Sequence, residues 1–449
     1  MKRFSLRLFT LGMALGALGA AAVLAAGAYA SPKSGPPQPD SAPPLVAPAQ
    51  PDQVIQWNRI LLGILRTPGA QPATIHPTRS MAILHAAVYD AVNAIDRTHA
   101  EYLIHLKAPR RASESAAAAA AAHGVLVQLY PNQTAMLDAD LGVSLAQVPE
   151  GRAKEQGVRV GERAAKLILA LRTGDGSAAS PIPFTPGTNP GDYQLTPPAF
   201  VNPVFTHWPF VKPFALGSAN QFRPGPPPAL TSKTYTADFN EIKSLGAITS
   251  TTRTADQTQI GRFWGAPIQN YWNEIAQTAA LGHGTTLAQN ARLFALLDLS
   301  VADSVIAFYD AKYTYRLWRP ITAIRAAGTD GNPATVADPN WTPLATTALD
   351  PSYPGAHAVV SAAGAEVLAT FFGDDNDQLA VTSEVLPGVV RSFTSFSGAA
   401  AEASASRIYA GQHFRFDEVA GQRLGSQVAG FVLHHFLLPR EHETEEAAQ

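Results

Sequence analysis

Apolar residues recur every three to four positions along most of this chain, a spacing that predicts helices. Val54, Trp57, Ile60, Leu61 and Ile64 share the face of a first helix. Met81, Leu84, Val88, Val92 and Ile95 share the face of a second, with Thr78 as its candidate cap. An Ala-rich helix runs from Ser115 to Leu129 and stops at Pro131. Another runs from about Ala153 to Leu171 and ends at Gly174-Asp175-Gly176. Further helices are expected over 234–245, 254–264, 268–281 and 287–313, with later starts near Gly355, Asp375, Ala399 and Asp417. There is no strong period-two run to suggest a strand and no clear internal repeat. The pattern predicts an all-α fold of helical bundles.

Between Ser177 and Leu230 the periodicity breaks. Pro, Asn and aromatic residues dominate, over a length too great for an ordinary connector. Phe200, Phe205, Trp208, Phe210 and Phe214 argue for an ordered irregular excursion packed by its own rings, because a disordered linker has no need of them. The N-terminus reads as a secretory signal. Lys2, Arg3 and Arg7 precede an apolar stretch from Leu8 to Ala26, and Ala28-Tyr29-Ala30 places cleavage before Ser31. The expected organisation is a signal peptide (1–30), a disordered Pro-rich linker (31–52), an N-terminal helical region with the excursion (53–232), a C-terminal catalytic bundle (233–440) and a disordered tail (441–449). The expected location is the periplasm or the extracellular medium.

Composition narrows the function. The 449 residues are 46% hydrophobic, which allows a substantial core. A net charge of −2 gives no bulk field for nucleic acid or an anionic membrane. No segment after the signal holds about 18 uninterrupted apolar residues, so stable membrane insertion is not expected once it is removed. With no cysteine, disulfides, thiolate metal sites and cysteine nucleophiles are excluded. Small-molecule substrates remain the expected partners; a homo-oligomer is left open.

The chemistry concentrates in the last third. KYTYRLWRP contributes Lys312 and Arg319, and Pro320 holds Arg319 out of helical geometry. PSYPGAH places Gly355, Ala356 and His357 at the start of a small-residue helix, where free backbone N–H groups favour an anion. SRIYAGQH contributes Arg407 and His413. Six residues on one unbroken helix would hold these two apart, but Gly411 lets the chain bend so that His413 turns back. Asp417 then lies four residues beyond His413, placed to orient its ring. Three cations make an oxyanion pocket, and two imidazoles supply a nitrogen nucleophile or ligand with an acid–base partner. His85 reads as structural, since Asp90 on the same helix points elsewhere. His434 and His435 read as exposed or partly packed, and Trp318 as a packing residue.

Taken together, Lys-x6-Arg-Pro, Pro-x-x-His before a helix, and Ser-Arg-x5-His-x3-Asp resemble the superfamily shared by vanadium-dependent haloperoxidases and type 2 phosphatidic acid phosphatases. WRP, SRIYAGQH, WNRILL and MAILHAAVYDAVNAID look closer to secreted bacterial haloperoxidase-like members. The resemblance implies vanadate as cofactor, held through His413 as the metal ligand. Its oxygens would lie against Lys312, Arg319, Arg407, Gly355 and Ala356. His357 would be the acid–base partner, and Asp417 would steady His413. Hydrogen peroxide and halide would be the substrates, with Lys312 polarising the peroxide. The same residues imply, as an alternative, a phosphatase that cleaves phosphate esters through a phosphohistidine at His413, with no vanadate, or a catalytically weak oxyanion-binding protein. The chain departs from the superfamily's usual Pro-Ser-Gly-His by having Pro-Gly-Ala-His. Losing one donor to a charged oxyanion costs roughly 1.5–3 kcal/mol, an affinity loss of about tenfold to a hundredfold.

Overall fold

In a computed structural model, residues 51–440 are described. The signal, most of the linker and the C-terminal tail inferred from the sequence lie outside that range.

Helix α1 (Gln53–Arg66) is capped by Asp52, whose carboxylate accepts the N–H groups of Val54 and Ile55. Helix α2 (Pro77–Asp96) starts at Pro77 with His76 as its cap, so Thr78 is the second helical residue and receives the cap instead of giving it. Helix α3 (Glu114–Leu129) is followed by α4 (Thr134–Ala146), which the apolar spacing does not show; only Leu137 and Ser144 of α4 are buried. Helix α5 (Arg152–Leu171) packs along α3, and α3 packs on α2.

The stretch from Ser177 to Leu230 contains no α-helix, as its composition implies. Three of the five aromatics singled out in the sequence pack inward: Trp208 and Phe214 are buried and Phe205 is partly so, but Phe200 is 60% and Phe210 73% exposed. Burying every ring is therefore not what orders the segment. Asp303 of the long helix α9 (Leu287–Tyr315) reaches into it and accepts the backbone N–H groups of Phe214, Ala215 and Leu216 at 2.6–2.7 Å. A buried carboxylate that collects three donors anchors the loop to the helix.

Helices α6 (Lys233–Leu245), α7 (Ala255–Phe263) and α8 (Ile268–His283) lead into α9. Apart from its ends, α9 is buried nearly all round, with α2, α11 (Ala356–Phe372) and α13 (Arg415–His435) packed along it. A helix apolar on every side belongs in the middle of a bundle. The short α10 (Pro320–Arg325) starts at Pro320. Helix α11 is followed by an antiparallel hairpin, β1 (Asn376–Thr382) and β2 (Val390–Ser395), where the sequence predicts a helix near Asp375. The hairpin buries only Leu379 and Val381 along β1, too short an alternation to announce a strand. Helix α12 (Phe396–Tyr409) and then α13 complete the fold. Gly425 of α13 faces the Val359 carbonyl so closely that a β-carbon would collide with it, so α13 lies close along α11. The fold is all-α with one two-stranded sheet among the described residues, and no helix there is long and apolar enough to cross a membrane.

Candidate active site

Separate local structures deliver the cationic and imidazole side chains to one place. Lys312 sits in the last turn of α9, and Arg316 ends that helix in the left-handed region. Arg319 is extended (φ −81°, ψ 154°), held so by Pro320 at the first position of α10. His357 stands in the first turn of α11. Arg407 lies in the last turn of α12, and Gly411, with φ +76°, turns the chain so that His413 returns toward it before α13 begins. Lys312, Arg319, Arg407 and His413 are all at most 8% exposed. The charges of Arg319, Lys312 and Arg407 bear on both histidines.

His413 is fixed on both sides. Its Nδ1 lies 3.2 Å from Asp417 Oδ2, which also accepts Ser352 Oγ–H at 2.6 Å and the Phe414 N–H at 3.0 Å. A carboxylate on Nδ1 makes that nitrogen the donor and leaves Nε2 with its lone pair. Nε2 accepts from Arg319 Nη1 at 3.1 Å. Burial and the three cations pull the His413 pKa well below its ordinary value, so the ring is neutral. His357 is held neutral by burial and by Arg407. Its Nε2 lies 3.0 Å from the Trp264 carbonyl, which can only accept, so Nδ1 is its basic atom. Burial lowers Lys312 to about 8 and Arg407 to about 10.

Two acidic residues that sequence reasoning did not single out face these cations, Asp350 and Glu418. Asp350 accepts from Arg319 Nη2 and lies 3.6 Å from Lys312 Nζ. Glu418 is buried, takes a hydrogen bond from Ser404 Oγ at 3.0 Å through Oε2, and has no partner for Oε1. Burial, with Asp417 beside it, pushes Glu418 up to about 8. Glu418, in the first turn of α13, reads in sequence as ordinary charge at a helix start, and nothing in the spacing marks Asp350.

The structure corrects the role expected of Gly355. Its N–H is bonded to the Asp417 carbonyl at 2.9 Å and has nothing left for an anion. What Gly355 provides is space, since a β-carbon there would collide with Glu418 Oε1. Ala356 opens α11, and its N–H makes no backbone hydrogen bond outside the helix, so it stays free at this helix start. His85 is buried in the core against Asn58, and His434 and His435 are exposed. Trp318 is fully buried among the aromatics packed around Phe414.

Comparison with known proteins finds similar chains. A family model described as the VCPO second helical-bundle domain matches residues 292–440. Vanadium chloroperoxidase of Curvularia inaequalis is 26% identical over 492 aligned positions, covering 82% of this chain and 79% of that one. A crystal structure described as the first bacterial vanadium-dependent iodoperoxidase superposes with a TM-score of 0.74 at 26% identity, covering 87% of this chain and 97% of that one. A bacterial vanadium-dependent chloroperoxidase in its holo form shares the fold, with a TM-score of 0.68 at 16% identity over 87% of this chain and 98% of its own.

Proposed function

We propose that the chain belongs to the superfamily that vanadium-dependent haloperoxidases share with type 2 phosphatidic acid phosphatases, and that it is a vanadate-dependent haloperoxidase oxidising a halide with hydrogen peroxide; the matched family model and the similar haloperoxidases support this reading. One observation carries the reading: a buried neutral His413 offers Nε2 beside Arg319, Lys312 and Arg407, with Asp417 fixing the ring from behind.

The residues fit an oxyanion of vanadium. Arg407 makes no side-chain hydrogen bond, and its buried Nε has no partner, which leaves a cation with donors to spare. His413 would hold the metal through Nε2, and Arg319, Lys312, Arg407 and the Ala356 N–H would hold oxygens. Bound vanadate supplies a Lewis acid that activates peroxide toward halide without itself changing oxidation state. The protein's own part is proton handling and charge. His357, neutral and anchored at Nε2 by Trp264, takes the proton of incoming peroxide at Nδ1. Lys312, charged below about pH 8, stabilises negative charge on the peroxide oxygens. Asp417 keeps the His413 proton on Nδ1 throughout.

Export is part of the same proposal, resting on Lys2, Arg3, Arg7 and Ala28-Tyr29-Ala30. The test is bromination of a phenol dye by the purified protein with vanadate, bromide and peroxide. Activity that needs vanadate and disappears in His413→Ala supports the reading. Aryl phosphate hydrolysis that vanadate inhibits, with no bromination, overturns it.

A further inference from the structure

The hydrogen bonds and ion pairs of Lys312 and Arg319 all end on the chain itself. Lys312 Nζ donates to the carbonyls of Pro351 at 2.5 Å and Ser352 at 3.1 Å, with Asp350 Oδ1 at 3.6 Å. Arg319 donates from Nε to Asp350 O at 2.7 Å, from Nη1 to Gln412 O at 3.0 Å and to His413 Nε2 at 3.1 Å, and from Nη2 to Asp350 Oδ1. A guanidinium has five N–H donors and an ammonium three. Little of either cation is therefore left for a ligand. Arg407, the third cation, has no such partner. Asp350 is itself buried, at 6% exposure, so solvent does not screen it from the cations it touches.

We propose that Asp350 sets how tightly this cup holds an oxyanion. Its carboxylate is an internal anion seated on Lys312 and Arg319, and an incoming oxyanion has to share those cations with it or displace it. The inference rests on reading the cup as an oxyanion site. Like charges brought onto the same pair of cations in a poorly screened interior repel strongly. Asp350 therefore weakens binding at these two residues, and Arg407 is left as the cation with no side-chain hydrogen bond to give up. The carboxylate also holds both cations in place, so it positions them as well as competing for them.

The experiment titrates inorganic phosphate, then orthovanadate, into the full chain by calorimetry. It compares the wild type with Asp350→Asn, Asp350→Glu and His413→Ala, and records melting temperature with and without phosphate. The Asp350→Asn variant should bind phosphate about tenfold or more tightly than the wild type. It should melt lower without phosphate, because two buried cations lose their counter-ion, and gain more from phosphate. The Asp350→Glu variant, which keeps the charge, should not show tightened binding. Damage to a merely structural residue would not tighten binding, so a gain separates the two roles. If Asp350→Asn does not fold, Asp350→Ser gives the same comparison with a smaller neutral side chain. A folded neutral variant that binds phosphate no more tightly than the wild type overturns the inference and leaves the site reading standing. Absence of phosphate and vanadate binding in wild type and neutral variants alike overturns the site reading, and the inference with it.

Discussion

Two buried histidine–aspartate pairs, one at the cup and one in the core, are built alike and placed differently. His413 lies 3.2 Å from Asp417, and His85 of α2 lies 3.5 Å from Asp298 of α9. In both, burial pushes the carboxylate up to about 7 and lowers the imidazole. The surroundings differ. His85 is lowered to about 3 by burial alone; the Asn58 amide bonds His85, and the Asn273 amide donates to Asp298. His413 is lowered by burial together with Arg319, Lys312 and Arg407. Burial by itself produces a neutral pair that ties helices together. On the function proposed above, cations around such a pair are what would let its free nitrogen hold an oxyanion.

Exchanging each histidine for alanine is the strongest way to break this comparison. His413→Ala should abolish vanadate-dependent bromination, a loss of about 10³-fold or more, and should remove vanadate binding measured by calorimetry. His85→Ala empties a site 1% exposed and stacked on Phe294, with centroids 5.1 Å apart. It should cost about 3 kcal/mol of stability, read as a lower urea midpoint, while the folded fraction keeps its phosphate affinity. A His85 variant that folds normally and loses anion binding would erase the distinction between the two pairs.

The carboxylates sharpen it. Asp417→Asn should weaken vanadate binding by about tenfold to a hundredfold, the usual cost of removing the partner that orients a ligating histidine. Asp298→Asn should leave binding alone and change the pH dependence of stability. Asp298 has a folded pKa of about 7, raised from 3.8 by burial. The folded state therefore holds its proton more tightly than the unfolded chain. Its stabilising contribution is complete below about pH 4 and is lost as pH rises toward 7, by up to about 1.4 kcal/mol for each unit. Asparagine does not titrate, so melting temperature in the variant should fall less steeply between about pH 4 and 7.

The two pairs are unequally legible in the sequence. His413 and Asp417 are four residues apart with a glycine just before them, so local spacing already proposes the contact. His85 and Asp298 are distant in the chain, and no local rule joins them, although His85 reads as structural. Helices α1, α2, α9 and α11 announce themselves through apolar spacing and terminal Pro or Gly. Helix α4 does not, because it lies on the surface and buries only Leu137 and Ser144. The hairpin does not, because Leu379 and Val381 alone make no pattern. Within the cup the cations are legible from their spacing, whereas Asp350 and Glu418 act through tertiary placement that one sequence does not reveal.

Gly355 and Glu418 offer the smallest and most local test. Read by family habit, glycine at 355 is a missing hydroxyl donor. Read by geometry, it is the space that Glu418 fills, with Oε1 standing where a β-carbon would have to go. Gly355→Ser should therefore not restore a donor in this chain. It should overpack the start of α11 at a cost of about 1–3 kcal/mol and displace Glu418 from its bond to Ser404. Glu418→Ala opens the space, so the double variant should be more stable than the sum of the single changes predicts, by about 1 kcal/mol or more. Urea midpoints of the wild type, the single variants and the double variant measure that coupling. Additive changes would mean that the two residues do not meet, and that the serine hydroxyl was lost here for a reason other than the glutamate that now stands against Gly355.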